Sequence, residues 1–315
     1  MLVALDWGTS NLRAYLMSAE GDVVETRHAA RGVLHLPAPA DAGGFEQAFA
    51  EIARDWLGRH PALPVVAAGM VGSAQGWIEA PYVHAPADVR ALAAHGVRVA
   101  SGLGPEVVIA PGVIFDAPAR MPDVMRGEEI KIAGAVAAEP ALGERTWFVL
   151  PGTHSKWVFV QEERIVSFAT YMTGELYAVL REHSILGRLM TESADGGESA
   201  PGFEVGLDAA RASSPGDLSH QLFAARTLGL TGRLPRNALA DYLSGLLVGH
   251  ELVSALAASR ATREAGAPLV LLGDAALCRR YARALEAFGA AADEQLDDTA
   301  PRGLWEFARA AGLLV

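Results

Sequence analysis

Two segments of the chain share one pattern of apolar and polar positions. Near the N-terminus, an apolar run at 2–5 ends at Asp6, a turn of small polar residues follows, and a second apolar segment begins at Leu12. A turn with two acidic residues at 19–22 then leads into a third segment at 23–26. Short apolar runs separated by turn residues are typical of β-strands. The pattern therefore predicts strand, tight turn, strand, hairpin turn and strand.

The second segment lies near the middle of the chain and repeats this order. Its apolar run at 146–150 is followed by a turn at 151–155, a run at 156–160, a charged turn and a run at 165–169. A repeat displaced by roughly half the chain indicates two domains with the same core. Each domain would then offer one turn to a shared cleft.

Between and after the repeats, apolar residues recur with helical and strand-like spacing. We predict buried strands at 63–68, 107–110 and 268–272, and helices at 45–58, 88–95, 128–136, 176–183, 238–258, 275–287 and 299–313. Gly245 and Gly249 lie one turn apart in the longest helix and would permit close approach of another helix. Residues 190–215 are rich in Gly, Ser, Ala and acidic residues without periodicity, which predicts a mobile loop or insertion.

Length, charge and cysteine content narrow the class of protein. A chain of 315 residues is long enough for two domains. A net charge of −11 argues against nucleic acid or an anionic membrane as a partner. Cys278 is the single cysteine, which excludes an internal disulfide and a cysteine-based metal site. No basic segment precedes the first apolar run, and the longest uncharged stretch (61–78) contains Pro and Gly, so we expect a cytoplasmic protein.

The first turn has the chemistry of a phosphate-binding loop. Asp6 ends the preceding strand and is the kind of hard oxygen ligand that holds Mg²⁺. Arg13 would contribute positive charge during phosphoryl transfer. The alternative is a β-hairpin whose aspartate caps the turn. The candidate anion-binding residues are four in a row: Gly8, Thr9, Ser10 and Asn11.

Five segments carry a resemblance that covers the chain from the N-terminus to beyond Gly273. They read DWGTSNLR at 6–13, AGMVGS at 68–73, MRGEE at 125–129, PGTHSKW at 151–157 and MTGEL at 172–176. The two turns resemble the phosphate loops of the sugar kinase, heat-shock ATPase and actin superfamily. The order of the segments is similar to that in 2-dehydro-3-deoxygalactonokinases, and the second, fourth and fifth segments are not generic to the superfamily.

The resemblance implies a fold and an activity. The implied fold is α/β, with two ribonuclease-H-like domains (mixed five-stranded sheets with helices) flanking an interdomain nucleotide cleft. We expect these domains at 1–135 and 136–300, and a C-terminal helix at 301–315 that packs on the first. The implied activity is ATP-dependent phosphorylation of 2-dehydro-3-deoxy-D-galactonate at its 6-hydroxyl in galactonate catabolism, with Mg²⁺. The expected partners are the sugar acid and ATP, and whether the chain forms a homodimer is left open.

Glu128 and Glu129 are the candidates for the catalytic base. In sugar kinases that the chain resembles, the acid that accepts the proton from the acceptor hydroxyl begins the helix before the second phosphate loop, where this pair stands. Many of those relatives have Asp at this position, so the identity of the base stays open between the two glutamates. One of two adjacent helix residues usually points away from the acceptor hydroxyl, and we prefer Glu128 as the base. The alternative is that the helix dipole alone favours acidic residues here. Arg126 would pair with the substrate carboxylate or, equally, with a neighbouring glutamate.

The loop after the strand at 63–68 is the candidate sugar-acid site. Ligands of open α/β sheets bind beyond the carboxyl ends of the strands, and the resemblance places substrate near this loop. The alternative is a structural turn that needs glycine. The candidate contacts are Met70, Gly72, Ser73 and Trp77.

Three further segments supply candidate nucleotide or substrate contacts. Gly152 and Thr153 would line the second turn, with His154 beside them. Gly273 ends a strand in a segment that resembles the adenosine-binding segment of the superfamily, although an aspartate replaces the usual second glycine. Thr173 is either a site residue or the N-cap of the following helix.

Two other functions are compatible with the same fold. A kinase for another 2-keto-3-deoxy sugar acid or a hexose would keep the chemistry and change the acceptor. A non-catalytic sugar- or nucleotide-sensing switch is a different class of protein. Redox activators of the superfamily hold an iron–sulfur cluster with several cysteines, which one cysteine cannot supply.

Overall fold

The computed structural model describes residues 1–118, 120–191 and 200–314, and it contains two compact units. Unit 1 comprises Met1–Thr146, Val158–Phe168 and Asp298–Val315, and unit 2 comprises Trp147–Trp157 and Ala169–Asp297. Each unit is discontinuous along the chain, whereas the predicted domains are continuous segments. The domain boundaries at 135 and 300 stay a prediction.

The strands and helices follow the chain in this order. The strands are β1 (Leu2–Trp7), β2 (Leu12–Met17), β3 (Val23–Ala29), β4 (Val65–Gly69), β5 (Tyr82–His84), β6 (Val97–Val99), β7 (Val107–Ile109), β8 (Gly112–Phe115), β9 (Asp123–Met125), β10 (Arg145–Leu150), β11 (Ser155–Gln161), β12 (Arg164–Tyr171), β13 (Leu269–Leu272) and β14 (Glu294–Leu296). The helices are α1 (Gly44–Arg59), α2 (Val89–Ala94), α3 (Glu128–Ala138), α4 (Thr173–His183), α5 (Ala200–Arg211), α6 (Leu218–Leu230), α7 (Leu239–Glu264), α8 (Ala275–Ala287) and α9 (Ala300–Ala310).

The first sheet has the strand order β3-β2-β1-β4-β7-β6. Strand β1 runs antiparallel to β2 and parallel to β4, so that Asp6 stands opposite both Arg13 and Ala68. The turn after β1 and the loop after β4 therefore leave the same edge of the sheet. Strand β6 pairs antiparallel with β7 and adds a sixth strand to the predicted five. Strands β5, β8 and β9 form a separate small sheet.

The second sheet repeats the topology of the first. Its order is β12-β11-β10-β13-β14, with β10 parallel to β13 and β13 parallel to β14. In both sheets the third, second and first strands of the repeat are followed by two parallel strands from further along the chain, and the first sheet then adds β6. This shared order confirms the two similar cores predicted from the repeat and the ribonuclease-H-like fold that the resemblance implied.

The core of the first sheet is covered by α1. Phe45, Phe49 and Trp56 recur on one face of this helix and are buried with the β1 side chain Trp7. A helix with apolar residues at this spacing buries one face and leaves the other in water. The predicted helix at 45–58 is thus confirmed.

The C-terminal helix α9 packs closely against α3 within unit 1. A Cβ atom at Gly303 would lie 1.8 Å from the Ile130 carbonyl oxygen, and one at Gly134 would lie 2.1 Å from that of Thr299. Only glycine permits backbones to approach this closely. The Thr299 hydroxyl also donates to the Lys131 carbonyl at 2.6 Å. The start of α9 is therefore fixed beside α3.

In unit 2, α7 packs closely against α5. A Cβ atom at Gly245 would lie 2.1 Å from the Phe203 carbonyl oxygen, and one at Gly206 would lie 2.2 Å from that of Tyr242. The close approach predicted at Gly245 is confirmed. The predicted loop at 190–215 is wrong over α5, because its glycines are packing positions, while residues 192–199 lie outside the described part of the chain.

One segment in the described ranges, Arg236–Glu264, is long and apolar enough to cross a membrane by length and composition. In its most apolar window, 61% of the residues are buried inside the protein. Core helices of soluble proteins pass the same test, so this single segment is weak evidence for a membrane span.

Candidate active site

The turn between β1 and β2 is held by backbone hydrogen bonds. The Gly8 N–H donates to the Asn11 carbonyl at 2.9 Å, and residues 32–34 donate to the carbonyls of Gly8, Thr9 and Ser10, each at 3.1 Å. The side chains of Thr9, Ser10 and Asn11 are exposed. The turn thus combines a fixed backbone with exposed polar side chains, as an anion-binding loop requires.

Asp6 lies at the end of β1 among four charged side chains. One of its carboxylate oxygens lies 3.8 Å from Arg13 Nη1. Burial raises the pKa of Asp6 above its usual value, the charges of Lys131 and Arg13 lower it, and those of Asp298 and Glu128 raise it. The structure therefore brings the predicted residues Asp6, Arg13 and Glu128 into one cluster.

Asp298 belongs to this cluster, although the sequence patterns did not single it out. Its Oδ2 accepts from Arg13 Nη1 and from the Tyr15 hydroxyl, both at 3.2 Å. Its Oδ1 accepts from the Ala300 N–H at 3.1 Å, at the start of α9. An aspartate just before a helix is a capping signal. That signal does not reveal a contact with a residue 285 positions away.

The two glutamates at the start of α3 have different environments. Glu128 Oε2 accepts from the Arg126 N–H at 3.1 Å, whereas both oxygens of Glu129 accept from the Gly127 N–H, at 2.8 and 2.7 Å. Glu129 is only 1% exposed. Glu128 is partly exposed, and its charge acts on Asp6. The geometry therefore favours Glu128 over Glu129 as the base.

Glu129→Gln is expected to weaken the pH dependence of stability. Burial, aided by the Glu128 charge, raises the pKa of Glu129 from 4.5 to about 8. Between these values the folded protein holds a proton that the unfolded chain releases, so the free energy of unfolding falls as pH rises. Urea midpoints at about pH 5.5 and about pH 8.5 measure this effect. The wild-type midpoint should fall more than that of the variant, and an equal fall in both would contradict the assignment.

The loop after β4 lies against the segment before α3. A Cβ atom at Gly127 would lie 3.3 Å from Gly69 Cα, and one at Gly72 would lie 3.1 Å from Arg126 Nη1. The loop begins with a short 3-10 helix, Met70–Gly72. The structure therefore places the Arg126 guanidinium against the loop that carries three predicted substrate contacts, which are Met70, Gly72 and Ser73.

Trp77, the fourth predicted contact on this loop, packs in an aromatic cluster of the core. Its ring centroid lies 6.0 Å from that of Trp7, 6.2 Å from that of Phe45 and 5.8 Å from that of Phe49. Such spacing is typical of packed aromatic side chains. The cluster accounts for Trp77 without a ligand.

The turn between β10 and β11 lies against the start of α4 in unit 2. A Cβ atom at Gly174 would lie 2.5 Å from the Gly152 carbonyl oxygen, and the Glu175 N–H donates to the Thr153 carbonyl at 2.9 Å. His154 Nε2 is hydrogen-bonded to Glu175 Oε2. The backbone of Gly152 and Thr153 is thus fixed as at the first turn, while the His154 side chain already has a partner.

Glu251 on α7 is a buried carboxylate with four hydrogen-bond donors. Its side chain is 3% exposed; burial raises its pKa and the four hydrogen bonds lower it. Thr173 lies inside α4 and donates to Glu251, whereas Met172 is the N-cap, so the N-cap prediction for Thr173 is wrong. The donors are the hydroxyls of Thr173, Ser155 and Tyr281 and the indole N–H of Trp157.

Glu251→Ala is expected to destabilise the protein by about 2–5 kcal/mol, because it leaves buried donors without an acceptor. Equilibrium urea unfolding measures this loss. Glu264→Ala, at the exposed end of the same helix, is the matched control and should cost less than about 0.5 kcal/mol. Equal stabilities of the two variants would show that the network contributes nothing.

A cavity of about 210 Å³ lies beside the second turn, within unit 2. Arg280 on its wall donates to Ser244 Oγ at 3.0 Å and to Asp241 Oδ1 at 2.7 Å. Apolar walls with a few fixed polar groups are typical of small-molecule sites. The lining residues include Gly152, Thr173, Gly174, Leu247, Leu277 and Tyr281.

The segment that follows β13 begins with Gly273, whose φ of 139° suits glycine. Asp274 is the N-cap of α8, and its Oδ1 accepts from the N–H groups of Ala276 and Leu277 at 3.0 Å each. Capping thus accounts for the aspartate in place of a second glycine.

Asp6 and the nearby carboxylates of Asp298 and Glu128 are the candidate ligands for a divalent cation. Among the residues that the structure describes, no three His, Cys, Asp or Glu side chains form a metal-binding group. Mg²⁺ in nucleotide enzymes is usually held by one or two carboxylates together with substrate phosphates and water. Asp6, with its single carboxylate at the end of β1, fits that second arrangement.

Fold and site together define a class of protein. The structure has two sheets with the same strand order, and a glycine-containing turn follows the first strand of each repeat. A helix with two glutamates in its first turn begins beside the first of these glycine-containing turns. This combination is typical of kinases in the sugar kinase, heat-shock ATPase and actin superfamily. The family model described as 2-keto-3-deoxy-galactonokinase matches residues 6–307. The chain belongs to the 2-keto-3-deoxy-galactonokinase family, which confirms the resemblance found in the sequence.

Similar proteins agree with this assignment. The chain is 36% identical over 299 residues to the 2-dehydro-3-deoxygalactonokinase of Escherichia coli (strain K12), covering 95% of this chain and 94% of that one. A crystal structure assigned as a 2-dehydro-3-deoxygalactonokinase from Sinorhizobium meliloti has a TM-score of 0.82 and 31% identity, covering 98% and 99% of the two chains. Component A of (R)-2-hydroxyglutaryl-CoA dehydratase from Acidaminococcus fermentans, at 11% identity and a TM-score of 0.50 over 98% of both chains, shares the fold.

Proposed function

We propose that the protein transfers the γ-phosphoryl group of ATP to the 6-hydroxyl of 2-dehydro-3-deoxy-D-galactonate, giving the 6-phosphate and ADP. Family membership supports the acceptor. The observation that carries the chemistry is the cluster of Asp6, Arg13 and Glu128 beside the turn at 8–11. Phosphoryl transfer needs positioning, charge stabilisation and a group that accepts the hydroxyl proton, and this cluster has residues of each kind.

Glu128 is proposed as the base that accepts the proton of the 6-hydroxyl. Its carboxylate is partly exposed and lies close enough to Asp6 to raise the pKa of that residue. A carboxylate base must come within hydrogen-bond reach of the proton that it accepts. Glu129 is unsuited to this role because it is buried and hydrogen-bonded to the Gly127 backbone.

Asp6 is proposed to hold Mg²⁺ together with the ATP phosphates. The bound cation would neutralise charge on the phosphoryl group. Arg13 and Lys131 would add positive charge at the same place, since both already act on Asp6. Asp298 would hold Arg13 in position through its hydrogen bond to Nη1.

Each glycine turn is proposed as a phosphate-binding loop of its own unit. Gly8 in unit 1 and Gly152 in unit 2 would each admit phosphate oxygens close to backbone N–H groups. The cavity lined by Leu277 and Tyr281 would hold the nucleoside, and Arg280 is already fixed in its wall. Homodimer assembly and a cytoplasmic location stay predictions.

Phosphorus NMR of the reaction product tests the proposed reaction. We expect one phosphomonoester signal, coupled to the two protons on carbon 6, after incubation with MgATP and the sugar acid. A phosphoryl group on another carbon would overturn the proposed position of the acceptor. Inorganic phosphate as the main product would overturn the kinase itself.

A further inference from the structure

Arg126 is a half-buried residue, and the hydrogen-bonding capacity of its guanidinium is only partly used. Nη2 donates to the Ala80 carbonyl at 2.8 Å, and the guanidinium carbon lies 4.4 Å from the centre of the Tyr82 ring. Nε and Nη1 are closed to water and have no hydrogen-bond partner. Buried donors of a charged group rarely stay unpaired in folded proteins, so these two indicate a missing acceptor.

Ser73, on the adjoining loop, also has a buried polar group without a hydrogen-bond partner. Its side chain is 8% exposed, and its Oγ is closed to water without a partner. The preceding residue, Gly72, would bring a Cβ atom to 3.1 Å from Arg126 Nη1. Ser73 therefore directly follows the turn that contacts the Arg126 guanidinium.

The neighbouring glutamates do not supply the acceptor. Glu128 accepts from the backbone N–H of Arg126, and Glu129 accepts from that of Gly127. Among the described residues, no carboxylate forms an ion pair with the Arg126 guanidinium. Pairing with a neighbouring glutamate, the alternative kept open from the sequence, is therefore not what the structure contains.

We propose that Arg126 and Ser73 bind the carboxylate of the sugar acid and so determine specificity for acids over neutral sugars. This inference rests on the proposed function. An anionic oxygen satisfies both a guanidinium N–H and a serine hydroxyl. Nε, Nη1 and Oγ are closed to water in this structure, so binding of the carboxylate requires the turn at 70–73 to move.

The test compares the sugar acid with its C1 amide, which has the same shape and no charge. Wild-type, Arg126→Gln, Arg126→Lys and Ser73→Ala proteins are assayed for kcat and KM with each acceptor at saturating MgATP. We expect Arg126→Gln to raise KM for the acid on the order of 10²-fold with a smaller change in kcat, and to bring the acid-to-amide ratio of kcat/KM near one. Ser73→Ala and Arg126→Lys should each give a smaller loss of the same kind.

A matched control and a binding measurement make the outcome decisive. Arg98→Gln removes an exposed arginine from β6 and should leave the acid-to-amide ratio unchanged. Calorimetry of the acid without ATP should show weaker binding to Ser73→Ala, which decides the matter if Arg126→Gln does not fold. A wild-type acid preference that persists in the folded variants overturns the proposed anchor and leaves the kinase intact. A wild-type enzyme that phosphorylates neither compound overturns the proposed function instead.

Discussion

Glu128→Gln is expected to lower kcat by about 10³-fold, within the range typical of a lost general base. Glutamine keeps the size of the side chain and its acceptor oxygen for the Arg126 N–H, but it cannot take a proton. Binding of ATP and of the sugar acid should change little, so KM values should stay within about threefold. Steady-state kinetics with both substrates varied measure this split.

Two further variants isolate the role of Glu128. Glu139 lies at the exposed C-terminal end of the same helix, and the Glu139→Gln variant should keep the wild-type kcat. Glu129→Gln should lose much less activity than Glu128→Gln, because the buried carboxylate of Glu129 is hydrogen-bonded to the Gly127 backbone. A larger loss in Glu129→Gln would transfer the role of base to Glu129.

Asp6→Asn is expected to lower kcat/KM by about 10²- to 10³-fold and to raise the Mg²⁺ concentration that gives half-maximal rate. Asparagine retains the shape of the side chain but loses the charge that would hold a cation. It also leaves Arg13 with Asp298 as its acidic partner. Rates across a Mg²⁺ titration, with ATP held constant, separate a weaker cation site from a general loss of activity.

The control for this titration is Asp22→Asn. Asp22 lies in the exposed turn between β2 and β3, so the Mg²⁺ dependence should match the wild type. If Asp6→Asn reaches the wild-type rate at the wild-type Mg²⁺ concentration, Asp6 holds no catalytic cation.

The repeated strand pattern predicted two domains with the same core, and the family resemblance supplied their ribonuclease-H-like fold. Apolar runs broken by glycine-containing turns identify the hairpins at both repeats, and their strands take the same order in both sheets. The helix at 200–211 was missed because Gly202 and Gly206 suggest a loop by composition. In the structure, these glycines give α7 room to approach, and a contact between distant segments is not visible in local composition.

The candidate site was predictable where chemistry follows local motifs. Asp6, Arg13 and Glu128 stand at strand or helix ends, and the sheet register brings Asp6 and Arg13 together. Asp298 was missed because the chain returns it to β2 from a position 285 residues away, just before α9.

The hydrogen-bond network of Glu251 and the packing of Trp77 were missed for a related reason. A glutamate on a long helix and a tryptophan in a glycine-rich loop are each compatible with exposure or burial. Their partners, Tyr281 for Glu251 and Phe49 for Trp77, come from other parts of the chain. Side-chain environment therefore depended on tertiary packing that periodicity does not encode.

ADP release, coupled to NADH oxidation, is the most direct test of the central claim. The wild-type enzyme is assayed with MgATP and, in turn, 2-dehydro-3-deoxy-D-galactonate, its gluconate epimer, a neutral hexose and no acceptor. We predict the highest kcat/KM with 2-dehydro-3-deoxy-D-galactonate and negligible ADP release without an acceptor. Slow ADP release at the same rate in all four assays would contradict the account.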